Sequence, residues 1–274
     1  MSAMPENKNI LITGCSSGIG YATAVALKSR GYRVICTARK ITDIQRLQQE
    51  GFECLSLDLT DSNSIHSAVA QLLTITDGQL YAVFNNAAYG QPGAVEDLSR
   101  DTLRTQFETN LFGTHELTNL LIPIMRRQGY GRIIYNSSIL GFVAMKFRGA
   151  YNASKFALEG LADTLRLELK GSGIHVVLIE PGPITSEFRK NAFAKYLEHI
   201  EKTNSPHRDT YLAMEARWQK PGPAAPFTLP ASAVADKVIR ALESRYPQYL
   251  YPLSLPPIST LPFYLYPLSP PPIS

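Results

Sequence analysis

The sequence predicts a single α/β domain of the Rossmann type: a doubly wound parallel sheet between two layers of helices, with a helical substrate lid. Two observations carry that expectation. Apolar runs of strand length alternate with stretches of helical period, and the strand runs are apolar at successive positions instead of every second one. Strands that are apolar on both faces must be covered on both faces, which helices between parallel strands accomplish. A chain of 274 residues with 45% hydrophobic composition is long and apolar enough for one such core.

The elements follow in order. NILITG reads as the first strand and leads into a helix over residues 21–29; YRVICTA reads as the second, before a helix over 43–50; FECLSLDL is the third, before a helix over 63–73. LYAVFNNAA, GRIIYNSS and IHVVLIEP supply three more strands, with a helix running through Leu169 between the last two. Gly31 ends the first helix, and Gly171 with Gly173 ends the one through Leu169, since glycine accepts the left-handed backbone that closes a helix.

Residues 185–230 depart from this rhythm. They hold Phe188, Phe193, Tyr196, Tyr211, Met214 and Trp218 among charges and prolines, which fits either a mobile lid over an apolar substrate or surface helices packed on the core. The domain is expected to span 8–245. Beyond Arg245 no residue is charged, nine of the nineteen prolines occur, and YLYPLSLPPIS returns as YLYPLSPPPIS. Proline at this density forbids a regular helix and hence a membrane span. An extended arm that docks on a partner subunit or a lipid surface is one reading of 246–274, and an end without structure is the other.

Composition narrows the function classes. A net charge of +4, spread thinly and without a basic run interleaved with aromatics, does not make a nucleic-acid surface. The start, MSAMPENKNI, has no apolar stretch behind a basic region, so a cytosolic protein is expected. Cys15, Cys36 and Cys54 lack CxxC spacing, so they read as reduced thiols and no metal is implied.

Directly after the first strand stands Thr13-Gly14-Cys15-Ser16-Ser17-Gly18-Ile19-Gly20, running into a helix. Glycines let the backbone approach a pyrophosphate, and the helix start offers free N–H donors at the positive end of its dipole. At the end of the second strand no acid is present to hold a ribose 2′-hydroxyl. Instead Arg39 and Lys40 offer a fork and a second charge for a 2′-phosphate, which favours NADP(H) over NAD.

Tyr151 and Lys155 lie four residues apart, hence on one helix face, and Tyr151 follows Ser138 at the end of GRIIYNSS by thirteen residues. A phenol with a pKa of about 10 is a poor base near neutrality. A positive charge about 5 Å away, at an effective dielectric of ~20, is worth roughly 3 kcal/mol, or about two pKa units. Lys155, helped by an oxidised nicotinamide, is expected to lower the Tyr151 pKa in this way.

The Gly-x-x-x-Gly-x-Gly spacing and the Tyr-x-x-x-Lys pair together resemble the short-chain dehydrogenase/reductase family over about residues 8–185. Within it the chain is similar to bacterial aldehyde-reducing oxidoreductases and, more distantly, to retinol and 17β-hydroxysteroid dehydrogenases. That resemblance implies a set of roles. Tyr151 gives the proton to a carbonyl oxygen, Ser138 (not the neighbouring Ser137) hydrogen-bonds the same oxygen, and Lys155 also holds the nicotinamide ribose. Asn110, in Thr109-Asn110-Leu111-Phe112-Gly113, kinks its helix and connects Lys155 to water. Gly14, Ser16, Ser17, Gly18, Ile19 and Gly20 hold the phosphates. Asp58 and Leu59 meet the adenine, although Asp58 as the cap of a turn at 60–63 remains an equal reading. Asn86 and Ala87, in Asn85-Asn86-Ala87-Ala88, lie under the adenosine ribose, with Ala88 where the family has glycine. Pro181, Gly182, Ile184 and Thr185 form the turn at the nicotinamide.

The implied activity is NADPH-dependent hydride transfer between the nicotinamide and an apolar aldehyde or ketone, or the corresponding alcohol, by a homo-oligomer paired through the helices that carry Asn110 and Tyr151. The alternative is a non-catalytic NADP(H)-binding redox sensor.

Overall fold

The computed structural model describes residues 8–220, 222 and 227–253. Seven strands, β1 (Asn9–Ile12), β2 (Arg33–Ala38), β3 (Glu53–Ser56), β4 (Ala82–Asn85), β5 (Gly131–Asn136), β6 (Ile174–Pro181) and β7 (Leu250–Leu253), form one sheet in the order β3-β2-β1-β4-β5-β6-β7. Every pairing is parallel. The order reverses between β1 and β4, which opens a crevice at the carboxyl ends of these strands.

Alternation along the strands divides the core into two layers. Ile10 and Ile12 pack on one face with Ala24 and Leu27 of α1 (Gly18–Ser29) and Val234 and Val238 of α9 (Ala231–Glu243). Leu11 packs on the other with Leu72 of α3 (Ser62–Ile75), Leu117 of α5 (Gly113–Gln128) and Leu158 of α6 (Gly149–Glu168). Each such side chain contributes about 1.5–3 kcal/mol on burial, which makes the two-sided apolar strand the strongest fold signal in the chain. Helix α2 (Ile41–Gln49) and helix α3 fall within two residues of the expected spans. Helix α1 begins at Gly18, so Gly18, Ile19 and Gly20 belong to its first turn. Gly31 and Gly171 take the left-handed backbone, with φ of 78° and 85°.

The seventh strand begins five residues past the expected boundary at 245 and ends eight past it, so the folded sheet reaches into the segment read as a tail. Leu178 N–H donates to Tyr249 C=O (2.9 Å), Gly182 N–H donates to Leu253 C=O (2.7 Å), and Tyr251 is buried. Pro252 is compatible with this because β7 is an edge strand, where a residue without N–H costs no ladder bond on the open side. The second copy of the repeat, at 264–274, lies outside the described residues.

Helices α7 (Phe188–His199) and α8 (Arg208–Gln219) occupy the expected lid region. Most of its aromatics pack on one another. Tyr196 and Tyr211 are fully buried in a small core of their own, with Phe193 and Trp218 against it. Phe147 joins that core at 5.7 Å from the Tyr211 ring. All three cysteines are buried free thiols. Among the described residues no helix is long and apolar enough to cross a membrane, and no cluster of metal-ligating side chains occurs.

Candidate active site

The site lies where the carboxyl ends of β1, β4, β5 and β6 meet. After β1 the chain turns through Gly14 (φ 71°) and enters α1 at Gly18 (φ 58°). A Cβ on Gly14 would stand 3.0 Å from Ala87, and one on Gly20 would collide with the Gly14 carbonyl and come within 2.6 Å of Asn86 Nδ2. The cradle therefore closes only around glycines. Ser17 caps α1 with extended backbone and no side-chain bond, and the first turn carries no acid, so the N–H groups and the dipole are left for an anion. These features fit a dinucleotide pyrophosphate.

The floor of the cradle is a hydrogen-bonded knot. Thr13 Oγ1 accepts from the N–H groups of Asn86 and Ala87, both at 2.9 Å, and Asn86 Nδ2 donates to the Thr13 carbonyl at 2.9 Å. Asn86 Oδ1 in turn accepts from Asn136 Nδ2 at 2.9 Å. Ala88 has no left-handed backbone, the non-glycine residues with positive φ among the described residues being Asp77, Phe147 and Phe227, so alanine replaces the family's glycine there without strain.

Three side chains converge at the ends of β5 and α6. Ser138 caps the short helical turn Ile139–Gly141, its Oγ accepting from Leu140 N–H (3.1 Å) and donating to the Pro181 carbonyl (3.4 Å). Tyr151 and Lys155 are buried one turn apart on α6, with the ammonium 5.7 Å from the centre of the Tyr151 ring. Lys155 Nζ donates to the Asn136 carbonyl at 2.7 Å. Burial pushes the Tyr151 phenol up to about 12, opposed by the Ser138 hydroxyl beside it. The expected lowering by Lys155 is thus not seen in the chain by itself: burial dominates, and the group that opposes it is the Ser138 hydroxyl. Burial also pushes Lys155 down to about 8, opposed by the Glu159 carboxylate.

The remaining predicted residues divide. Asn110 lies in a π-helical turn, Glu108–Phe112, which interrupts the regular helix between α4 (Arg100–Phe107) and α5. Its side chain, however, is taken up by the Tyr89 backbone at 3.1 and 2.9 Å and by Ser154 Oγ at 3.1 Å, and does not touch Lys155. Asp58 Oδ1 accepts from Thr60 N–H (2.9 Å) and Thr60 Oγ1 (2.8 Å), the turn-capping arrangement. Leu59 is buried. Arg39 and Lys40 are exposed past the end of β2. Thr185 N–H donates to Leu229 C=O and Leu229 N–H to Pro183 C=O, so the N–H and C=O of Ile184 point away from Leu229.

Three contributors were not singled out in the sequence. Arg46 donates to the Ser16 carbonyl at 2.7 Å and adds a cation beside the glycine turn. Asn136 connects the cradle to Lys155, and a polar residue ending an apolar parallel strand was the available signal. Gly90 is pressed by Phe188, whose ring meets Tyr151 edge-on at 5.3 Å; a Cβ on Gly90 would stand 2.7 Å from it.

Comparison with known proteins agrees with this arrangement. The sequence model of the short chain dehydrogenase family matches residues 8–197. The chain is 42% identical over 248 residues to the uncharacterized oxidoreductase YbbO of Escherichia coli K12, covering 90% of this chain and 86% of that protein. It is 36% identical over 201 residues to human retinol dehydrogenase 8, covering 71% and 64%. A short-chain dehydrogenase from Streptomyces avermitilis superposes with a TM-score of 0.75 at 29% identity, over 91% of this chain and 89% of that one. A glycine cradle, a seven-stranded parallel sheet and a match running through the Tyr151 helix all point the same way: the chain belongs to the short-chain dehydrogenase family.

Proposed function

We propose that this chain is an NADP(H)-dependent oxidoreductase that interconverts an apolar aldehyde or ketone and its alcohol. The observation that carries the reading is the convergence of Ser138, Tyr151 and Lys155 at the carboxyl edge of the sheet, beside a glycine cradle shaped for a pyrophosphate. The nicotinamide, when bound, supplies or takes up the hydride. Tyr151 transfers the proton at its hydroxyl, Ser138 hydrogen-bonds the substrate oxygen, and Lys155 holds the nicotinamide ribose and supports charge on the phenol. Asn110 acts at one remove, fixing α6 through Ser154.

Gly14, Ser16, Ser17, Gly18, Ile19 and Gly20 bind the pyrophosphate. Asn86 and Ala87 lie under the adenosine ribose, Asp58 with Leu59 takes the adenine, and Pro181, Gly182, Ile184 and Thr185 the carboxamide side. Arg39 and Lys40 face a 2′-phosphate, which supports NADP(H). Phe188 against Tyr151 supports an apolar substrate, as does the likeness to a retinol dehydrogenase. Exposed Leu161 and Leu167 on α6 and Phe112 at the start of α5 support pairing of two copies through these helices. The buried free thiols fit a cytosolic setting.

The test is NADPH oxidation, followed at the nicotinamide absorbance, with medium- and long-chain aldehydes, retinal and keto-steroids, and with NADH in parallel. Turnover of one apolar class with NADPH is the expected result. Equal rates with NADH remove the 2′-phosphate assignment; binding of NADPH without turnover of any carbonyl removes the enzyme reading.

A further inference from the structure

Glu180 is 3% exposed, and it stands directly before Pro181, whose carbonyl accepts from Ser138. Strand alternation decides what it faces. In β6, Val176 and Leu178 pack in the layer that holds Leu158 and Ala162 of α6, while Val177 and Ile179 pack on the opposite face. Glu180 therefore shares the α6 side. In β5, Ile133 and Tyr135 lie on that side too, and Ser137 follows them in alternation. Glu159 meets these groups from α6: a Cβ on Gly141 would stand 2.9 Å from both Glu159 Oε1 and Ser137 Oγ. Those two oxygens are buried, neither with an aligned hydrogen-bond partner.

A buried carboxyl is ordinarily compensated by an arginine or lysine in contact. Among the described residues neither Glu159 nor Glu180 makes an ion pair. The other charged and titratable groups on this face are few. Helix α6 brings Lys155 one turn before Glu159, Asp163 one turn after, and Arg166. The Arg166 guanidinium binds Asp163 through Nη1 and the Val176 carbonyl through Nε, while its Nη2 is buried without a hydrogen-bond partner; it lies 5.3 Å from the Tyr249 ring beside β7, and its charge together with that of Lys155 opposes the rise of Glu159. Strand β5 brings Tyr135, and the turn Ile139–Gly141 brings no ionisable side chain.

We propose that Glu159 and Glu180 form a carboxyl pair that shares one proton, and that the single negative charge left on it keeps the buried Lys155 ammonium charged. The pair thereby acts as positioning residues for the proton-transfer site, an inference that rests on the functional reading above. Ser137 lies beside Glu180 in the sheet, its N–H bonded to the Ile179 carbonyl, and it also neighbours Glu159 Oε1, so a buried and a half-buried carboxyl meet on one face; such a pair holds one proton between them more readily than two charges. Burial pushes Glu180 up to about 8, with the Glu159 charge adding to it, and burial raises Glu159 as well. Glu159 is the acid that opposes the fall of Lys155, four residues away on the same helix face. The pair also touches the rest of the site through the backbone, since Ser137 precedes Ser138 and Glu180 precedes Pro181.

Sharing has a consequence that a purely structural role lacks. In Glu180→Gln the whole charge passes to Glu159, nearer to Lys155, and the ammonium persists to higher pH. In Glu159→Gln the remaining Glu180 keeps its proton near neutrality, and Lys155 loses its support. The experiment is the pH profile of NADPH-dependent turnover for the full-length wild type and both variants. The alkaline limb is expected to move by about one pH unit in opposite directions, up for Glu180→Gln and down for Glu159→Gln. Limbs that stay in place, or move together, overturn the pairing. The infrared spectrum provides a readout that needs no substrate: a protonated-carboxyl band at pH 7 in the wild type that Glu180→Gln removes. Its absence from the wild type, or its persistence in Glu180→Gln, overturns the shared proton whether or not any carbonyl is turned over. Absence of turnover with the band intact bears on the oxidoreductase reading alone.

Discussion

The Lys155 ammonium donates to the backbone carbonyl of Asn136 at 2.7 Å, tying helix α6 to the end of strand β5. Asn136 also holds Asn86 through its amide, so the lysine, the cradle floor and the glycine turn form one continuous network. A group on α6 is thereby fixed relative to a cofactor cradle built more than a hundred residues earlier in the chain.

Tyr151→Phe removes the one hydroxyl placed to exchange a proton while leaving the cradle untouched. Turnover is expected to fall by at least about 10²-fold, with NADPH affinity nearly unchanged. Steady-state rates and fluorescence titration of NADPH check both halves, and wild-type turnover in the variant removes the mechanism.

Lys155 titrates at about 8 in the folded chain, below its ordinary 10.5. Between these values the unfolded chain binds more protons than the folded one, so this group makes stability rise with pH across the window from about 8 to 10.5. Below about 8 the cost of the buried charge is complete, on the order of 3 kcal/mol. In Lys155→Met that cost is gone. The melting temperature of the variant relative to wild type is expected to fall as pH climbs through this window, and a difference that stays flat contradicts the buried-ammonium account.

Arg39 is exposed at the end of β2, where the adenosine ribose of a dinucleotide passes in folds of this kind. Arg39→Asp exchanges a phosphate-gripping fork for an acceptor suited to a 2′-hydroxyl. The ratio of kcat/KM for NADPH over NADH is expected to drop by ten-fold or more, about 1.4 kcal/mol, and an unaltered ratio sinks the assignment.

The sheet needs β7. A chain ending after Arg245 loses the ladder from Leu250 to Leu253 and the burial of Tyr251, and it exposes the β6 edge. Loss of that one aromatic side chain from the core is worth about 2–3 kcal/mol. A chain ending after Leu253 is expected to keep the wild-type melting temperature to within a few degrees, whereas one ending after Arg245 melts well below it. Equal melting of the two truncations contradicts a structural part for β7.

The glycine turn and the Ser138, Tyr151 and Lys155 set were legible because each is local: a strand end, a helix start, or one helical turn. The role of Asn110 was only half legible. The helical turn around it belongs to the chain, but the partners of its side chain, Tyr89 and Ser154, come from other elements. The aromatic segment left two readings open for a similar reason, since composition does not say whether Tyr196 and Tyr211 face a ligand or each other.

The sequence by itself determined the alternation of strands and helices, the cradle and the spacing of the reactive side chains, because short-range sterics and hydrophobic period are written in adjacent residues. Tertiary structure alone decided three things. It placed a proline-containing segment as the edge strand β7. It set the Tyr151 and Lys155 pKa values by burial instead of by their mutual charge. It brought Glu159, Ser137 and Glu180 onto one face from three separate elements. All three depend on what desolvates and surrounds a group, and those neighbours arrive from distant parts of the chain only when the sheet closes.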